Sequence, residues 1–213
     1  MSVAAKICGL STPDGVAAAV RHGARFVGFV FFPPSRRDVT PALAGALSAL
    51  VPAGITKVGL FVDADDDTLA AALAGAPLDL LQFHGEETPE RVAAVKRRFG
   101  KPVMKAIPVA SEGDLSVAER YFGVADRLLF DAKPPKDAVV PGGNGLVFDW
   151  QLLGGRRWPL PWMLSGGLSP DNLGEAVRIT HAEMVDVSSG VERAPGIKDP
   201  DRIAEFLGRA RAL

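Results

Sequence analysis

Hydrophobic and polar positions along the chain fall into two alternating kinds of segment. Short runs dense in Val, Ile, Leu and Phe recur near residues 3–7, 25–31, 55–62, 78–83, 102–107, 127–130, 161–165 and 183–187. Near-continuous apolar runs of this length read as strands buried on both faces. Between them lie Ala-rich stretches whose pattern predicts helices near 13–22, 41–50, 65–75, 88–98, 111–122, 148–153, 170–179 and 199–211. Four of these open on a capping hydroxyl followed by proline: Thr12-Pro13, Thr40-Pro41, Thr88-Pro89 and Ser169-Pro170. Proline is favoured at the first helical position because its missing N–H has no partner there anyway.

The eight strand–helix units follow one another with no linker, low-complexity segment or shift in composition. A βαβ alternation demands a parallel sheet. Eight units in one uninterrupted stretch favour closure over an open sheet, so the expected fold is α/β, a single-domain (β/α)8 TIM barrel over residues 1–213. An open dinucleotide-binding sheet would want GxGxxG after its first strand, where this chain has Cys8-Gly9-Leu10-Ser11. The 213 residues are fewer than the roughly 250 typical of the barrel. Short loops and a curtailed sixth helix would make up the difference.

Charge and cysteine content narrow the partners. Lys and Arg number 24 against 25 Asp and Glu, a formal net charge of -1. A phosphate backbone needs a basic excess or stripe, so no nucleic-acid partner is expected. The densest basic spots, Arg36-Arg37, Lys96-Arg97-Arg98 and Arg156-Arg157, are short, and the last two read as solvated surface. One cysteine forms no intramolecular disulfide and no cysteine zinc site, and it suits a reducing cytoplasm. No basic segment followed by a long apolar stretch opens the chain. The longest uncharged run, Val39 to Thr56, is interrupted by Pro41, Gly45, Pro52 and Gly54, so neither a membrane span nor a membrane partner is expected. His22, His84 and His181 have no metal-ligand spacing, so no metal is expected.

In a barrel of this kind, active sites lie at the C-terminal ends of the strands. The polar residues there are Cys8, Arg36 and Arg37, Asp63, Gln82 and His84, Lys105, Asp131, Ser165, and Asp186 with Ser188 and Ser189. "LSGGLSPDN" follows the seventh strand and "VDVSSGVE" the eighth. Paired Gly/Ser loops in these two places are the barrel's usual phosphate site, which makes Gly166, Gly167, Ser188, Ser189 and Gly190 phosphate candidates. In "GFVFFPPSRR", Arg37 lies on a loop stiffened by Pro33-Pro34, and a fixed guanidinium suits a carboxylate or phosphate. Gln82 and His84 share parity and therefore a side of the sheet. Asp131 ends the sixth strand, where a partly desolvated carboxyl can serve as a general acid or merely cap a turn. "PGGNGLVFDW" downstream is either a lid or a long loop. A lone cysteine such as Cys8 is commonly an inert small apolar residue. Its place at a strand end, with Lys6 on the same parity, allows a thiolate that is nucleophile or general base.

Taken together, "KICGL", "GFVFFPPSRR", "LQFHGEE", "DAKPP…GGNGLVFDW", "LSGGLSPDN" and "DVSSGVE…PGIKD" resemble phosphoribosylanthranilate isomerase of tryptophan biosynthesis. The likeness runs in order from residue 6 to about 199. It implies a barrel with no metal or organic cofactor, monomeric or homodimeric, acting on a small phosphosugar–anthranilate substrate. The implied reaction is the Amadori rearrangement of N-(5-phosphoribosyl)anthranilate to 1-(2-carboxyphenylamino)-1-deoxyribulose 5-phosphate. By motif, Cys8 corresponds to the general base and Asp131 to the general acid. Arg37 corresponds to the arginine on the anthranilate side, while Gln82, His84 and Asp186 correspond to further substrate contacts. Two positions depart from the family pattern: Asp38 stands where an aromatic residue is common, and Asn144 where a small hydroxyl residue is usual. Other phosphosugar barrels fit less well. A ribulose-phosphate epimerase wants metal-ligating histidines, and a barrel isomerase of histidine biosynthesis an aspartate where this chain has Cys8. A non-catalytic phosphosugar-binding barrel would be expected to lose Cys8 or Asp131.

Overall fold

The computed structural model describes residues 2–135, 138 and 140–213; the expected span 1–213 thus includes four positions, 1, 136, 137 and 139, outside the described residues. Eight parallel strands close into a barrel in chain order. They are β1 (Ala4–Cys8), β2 (Phe26–Phe31), β3 (Thr56–Phe61), β4 (Leu80–Phe83), β5 (Val103–Val109), β6 (Arg127–Ala132), β7 (Trp162–Leu164) and β8 (Met184–Val187). Closure is made by β8 on β1, with Lys6 opposite Asp186 and Ile7 opposite Val187. Each expected strand is present, with ends shifted by a residue or two.

Helices α1 (Pro13–Arg21), α2 (Pro41–Ser48) and α4 (Pro89–Phe99) begin where the cap signals place them, and α3 (Asp66–Gly75) lies within a residue of its expected span. Thr12, Thr40 and Thr88 accept from the amides of Gly15, Leu43 and Arg91, satisfying donors that a helix start leaves free. The expected helix at 111–122 is broken into α5 (Glu112–Leu115) and a 3-10 turn (Ser116–Tyr121). Among the described residues, the sixth connection carries only a 3-10 turn, Trp150–Leu152, in place of the expected helix at 148–153. The Ser169-Pro170 signal is misleading. Helix α6 (Leu173–Thr180) starts later, because Asn172 Oδ1 accepts from the Ser169 amide and holds an extra turn in front of it. After β8 a hairpin of β9 (Glu192–Ala194) and β10 (Ile197–Lys198) precedes α7 (Pro200–Ala212).

Alternation along the strands sorts side chains into two cores. Ile7, Val27, Phe29, Phe61, Leu81, Phe83, Val103, Ile107, Phe130 and Val185 face outward onto the helices. Phe26, Val58, Leu80, Met104, Ala106, Leu129 and Met163 fill the lower interior of the barrel. Above that apolar plug the lining turns polar, and this is where the site begins. No helix among the described residues is long and apolar enough to cross a membrane.

Candidate active site

The strand ends surround one cleft whose empty volume, including the solvent at its mouth, is about 740 Å³. Cys8, Arg37, His84, Asp131, Ser165, Gly166, Gly167, Asp186, Ser188 and Ser189 all line it. The structure thereby brings most of the expected residues together. Two stand apart. Gln82 is fully buried and reaches the site through His84, its Nε2 lying 3.0 Å from His84 Nδ1. Gly190 does not line the cleft; a Cβ there would come within 1.8 Å of the Leu168 carbonyl oxygen, so close packing alone requires glycine.

At the floor, Lys6 Nζ donates to Asp186 Oδ1 at 3.0 Å in full burial, and Ser165 Oγ lies 3.3 Å from Asp186 Oδ2. Both oxygens of Asp186 are thus held by protein. Breaking such a pair from one side would cost about 3–5 kcal/mol. Gly28, opposite Cys8 in the register, makes room for this corner, because a Cβ there would meet Cys8 Sγ at 3.1 Å and Lys6 Cε at 3.2 Å. Burial pushes the Cys8 thiol up; Lys6 and Lys198 oppose that rise and Asp186 reinforces it. Lys6 is indeed beside the thiol. Burial outweighs its charge, so the net direction at Cys8 is away from thiolate, contrary to what the Lys6 parity alone would suggest.

Across the cleft, Asp131 Oδ1 accepts from the Ala132 amide at 2.9 Å and Oδ2 lies 3.0 Å from His84 Nε2. With Gln82 Nε2 donating to Nδ1, the imidazole proton sits on Nε2 and is given to Asp131. Turning the amide over would occupy Gln82 Oε1, which has no partner among the described residues. Lys105 braces the β4 loop from below, donating to the Gly85 carbonyl at 2.6 Å and to Glu87 Oε2 at 2.9 Å.

Arg36 is exposed and Arg37 buried. The Arg37 fork closes on Glu192, with Nε 2.7 Å from Oε1 and Nη2 2.9 Å from Oε2. Asp38 is not what orients it: Asp38 Oδ1 accepts from the Phe32 amide at 2.7 Å and stabilises the loop. Asn144 Nδ2 donates to the Val140 carbonyl within its own loop. That loop arches over the cleft, where a Cβ on Gly142 would meet His84 Nε2 at 2.6 Å and one on Gly143 would meet Arg37 Nη1 at 2.6 Å.

On the opposite side, Gly166 (φ +87°) and Gly167 (φ +62°) adopt left-handed backbone. The amides of Gly166, Gly167 and Ser189 have no acceptor among the described residues. Free N–H groups converging from two adjacent loops form an anion-binding concavity.

This arrangement matches known proteins along its whole length. A family model described as "PRAI: N-(5'phosphoribosyl)anthranilate (PRA) isomerase" matches residues 5–209. A protein of Paracoccus denitrificans named N-(5'-phosphoribosyl)anthranilate isomerase is 62% identical over 212 residues, covering 100% of this chain and 99% of its own. The chain belongs to the phosphoribosylanthranilate isomerase family. It is an isomerase of tryptophan biosynthesis. The solved phosphoribosylanthranilate isomerase of Thermotoga maritima superposes with a TM-score of 0.88 at 35% identity, covering 99% of this chain and 100% of that one. Another solved isomerase, in complex with reduced 1-(o-carboxyphenylamino)-1-deoxyribulose 5-phosphate, gives 0.84 at 33% identity, with 99% and 100% covered. Glu192, Lys198 and the Gly142–Gly143 stretch around the site were not singled out as site residues by sequence reasoning. Their signals, "SSGVE", "PGIKD" and "PGGNG", were visible as motifs without a role.

Proposed function

We propose that this isomerase converts N-(5-phosphoribosyl)anthranilate to 1-(2-carboxyphenylamino)-1-deoxyribulose 5-phosphate, with Asp131 as general acid and Cys8 as general base. The observation that supports it is the cleft itself. A carboxyl group and a thiol from non-adjacent strands line it, with an arginine and an anion concavity beside them.

The substrate has an anion at each end. Gly166, Gly167, Ser188 and Ser189 are assigned to the phosphate, where free amides favour negative charge; Gly190, packed against the Leu168 carbonyl outside the cleft, is not. Arg37 is assigned to the anthranilate carboxylate. His84 and Asp186 contact the sugar, and Gln82 orients His84. Between these anchors, Asp131 protonates the furanose ring oxygen as the anthranilate nitrogen lone pair drives the C1–O bond open, leaving a protonated Schiff base. Cys8, as thiolate, then removes the proton from C2, and the electron pair neutralises the iminium to give an enolamine. Proton transfer from the enol oxygen to C1 yields the ketone. Lys6 and Lys198 supply the positive charge that a thiolate needs in so buried a place.

The test follows the loss of fluorescence of freshly prepared N-(5-phosphoribosyl)anthranilate. The unaltered protein should turn it over, and Cys8→Ser and Asp131→Asn should each lower kcat by about 10² or more, the scale of general acid–base catalysis. Near-normal turnover in either variant would remove that residue from its role. Binding without turnover by the unaltered protein would refute the reaction.

A further inference from the structure

We propose that Glu192 and Lys198 are positioning residues that tie the Arg37 guanidinium to the loop after β8, so that the carboxylate end and the phosphate end of the site form one rigid frame. The inference rests on the assignment of Arg37 to the substrate carboxylate.

Glu192 opens β9 and Lys198 closes β10, and the hairpin sets them opposite each other. Glu192 has no free oxygen. Oε1 accepts from Arg37 Nε at 2.7 Å and Lys198 Nζ at 2.8 Å, and Oε2 from Arg37 Nη2 at 2.9 Å and the Gly196 amide at 3.0 Å. Lys198 Nζ donates in turn to the Ser188 carbonyl at 2.9 Å and lies 3.2 Å from Ser188 Oγ. Ser188 Oγ donates to the Cys8 carbonyl at 3.2 Å. A continuous run of charged hydrogen bonds therefore joins Arg37 to the β8 loop and to the backbone of β1. Glu192 and Lys198 do not line the cleft and are almost wholly buried.

Two consequences follow for Arg37. Its Nε–Nη2 edge is taken by Glu192 and the Gly143 carbonyl, which leaves Nη1, without a partner among the described residues, as the donor for a ligand. A guanidinium held by such a fork cannot swing away. The charges also decide the field. Arg37 and Glu192 cancel, and Lys198 restores one net positive charge to the trio. An anionic substrate would otherwise meet a neutral clamp.

The experiment uses two probes, reduced 1-(o-carboxyphenylamino)-1-deoxyribulose 5-phosphate and the same molecule lacking the carboxyl group, with inhibition constants and kcat measured in each variant. Glu192→Gln should weaken the carboxylated probe about tenfold or more, as loosening one partner of a buried charge pair does, while changing the other probe by less than about twofold and kcat by less than about threefold. In an Arg37→Ala background that effect of Glu192→Gln should vanish, because its action passes through Arg37. Lys198→Met should weaken both probes, since Lys198 also holds Ser188. Equal loss of both probes in Glu192→Gln, or an undiminished effect in the Arg37→Ala background, would overturn the inference. So would a Lys198→Met protein that binds the decarboxylated probe normally. If Glu192→Gln does not fold, Glu192→Asp, which keeps the charge but shortens the reach, is read with the same probes against the same criteria. An unaltered protein that binds both probes equally would refute the Arg37 assignment and this inference with it. Discrimination by the unaltered protein that survives in Glu192→Gln refutes the inference alone.

Discussion

Two adjacent arginines with the same chemistry have opposite fates here. Arg36 points to solvent, whereas Arg37 is buried against Glu192 and the Gly143 carbonyl. The loop sequence supplies both cations. A carboxylate 155 positions further along the chain selects the one that is held. Arg37→Ala is expected to raise KM by about ten- to a hundredfold while kcat stays within about threefold, because a fixed donor to a carboxylate acts on the bound ground state and transition state alike. Steady-state kinetics checks this, and an unchanged KM would remove Arg37 from the site. Cys8 shows the same dependence on surroundings. Its position at a strand end is legible from the motif alone, but the direction in which burial, Lys6 and Asp186 move its thiol together is set by β1 and β8 jointly.

Helices α1, α2 and α4 begin where local chemistry says, because a cap needs only its own next three residues. Elements whose bounds depend on distant partners are harder to read. The run at 111–122 has helical composition but continues as a 3-10 turn after Leu115. The hairpin after β8 is missed altogether, since strands of three and two residues on either side of Gly196 are too short to show a hydrophobic alternation. Its role comes from where Glu192 and Lys198 end up. Helix packing also hides in the sequence. The glycine in "PALAGALS" reads as a weak point of α2, yet a Cβ on Gly45 would come 2.2 Å from the Gly75 carbonyl oxygen at the end of α3. Gly45→Ala should therefore destabilise the protein by about 1–3 kcal/mol, as overpacking does, despite alanine's better helix propensity. Urea unfolding checks the sign, and a more stable variant would show that the two helices separate at little cost.

At the scale of the whole molecule, closure of β8 on β1 brings Asp186 to Lys6 and Ser188 to the Cys8 carbonyl, joining the last strand unit to the first. The same closure makes stability depend on pH. Burial acts to raise the Glu192 carboxyl, but hydrogen bonds and charge from Arg37 and Lys198 prevail and hold it at about 2, below its ordinary 4.5. A folded-state value below the unfolded one means that the ionised group stabilises the native state in full above about pH 4.5. That contribution is lost as pH falls towards about 2. Glu192→Gln is expected to flatten this part of the stability curve, measured as urea midpoints between pH 5 and pH 3. A variant whose acid slope equals that of the unaltered protein would show that the pair adds no stability. The sequence by itself determined the eight alternating units, the caps of α1, α2 and α4, and the ring of polar strand ends, because periodicity and capping are local properties of a chain. Only the tertiary structure decided which of those polar residues meet, that Gln82 acts behind His84, and that Arg37 is braced by Glu192 and Lys198. These pairings join positions up to 180 apart, and only the curvature that closes the barrel brings them within hydrogen-bonding distance.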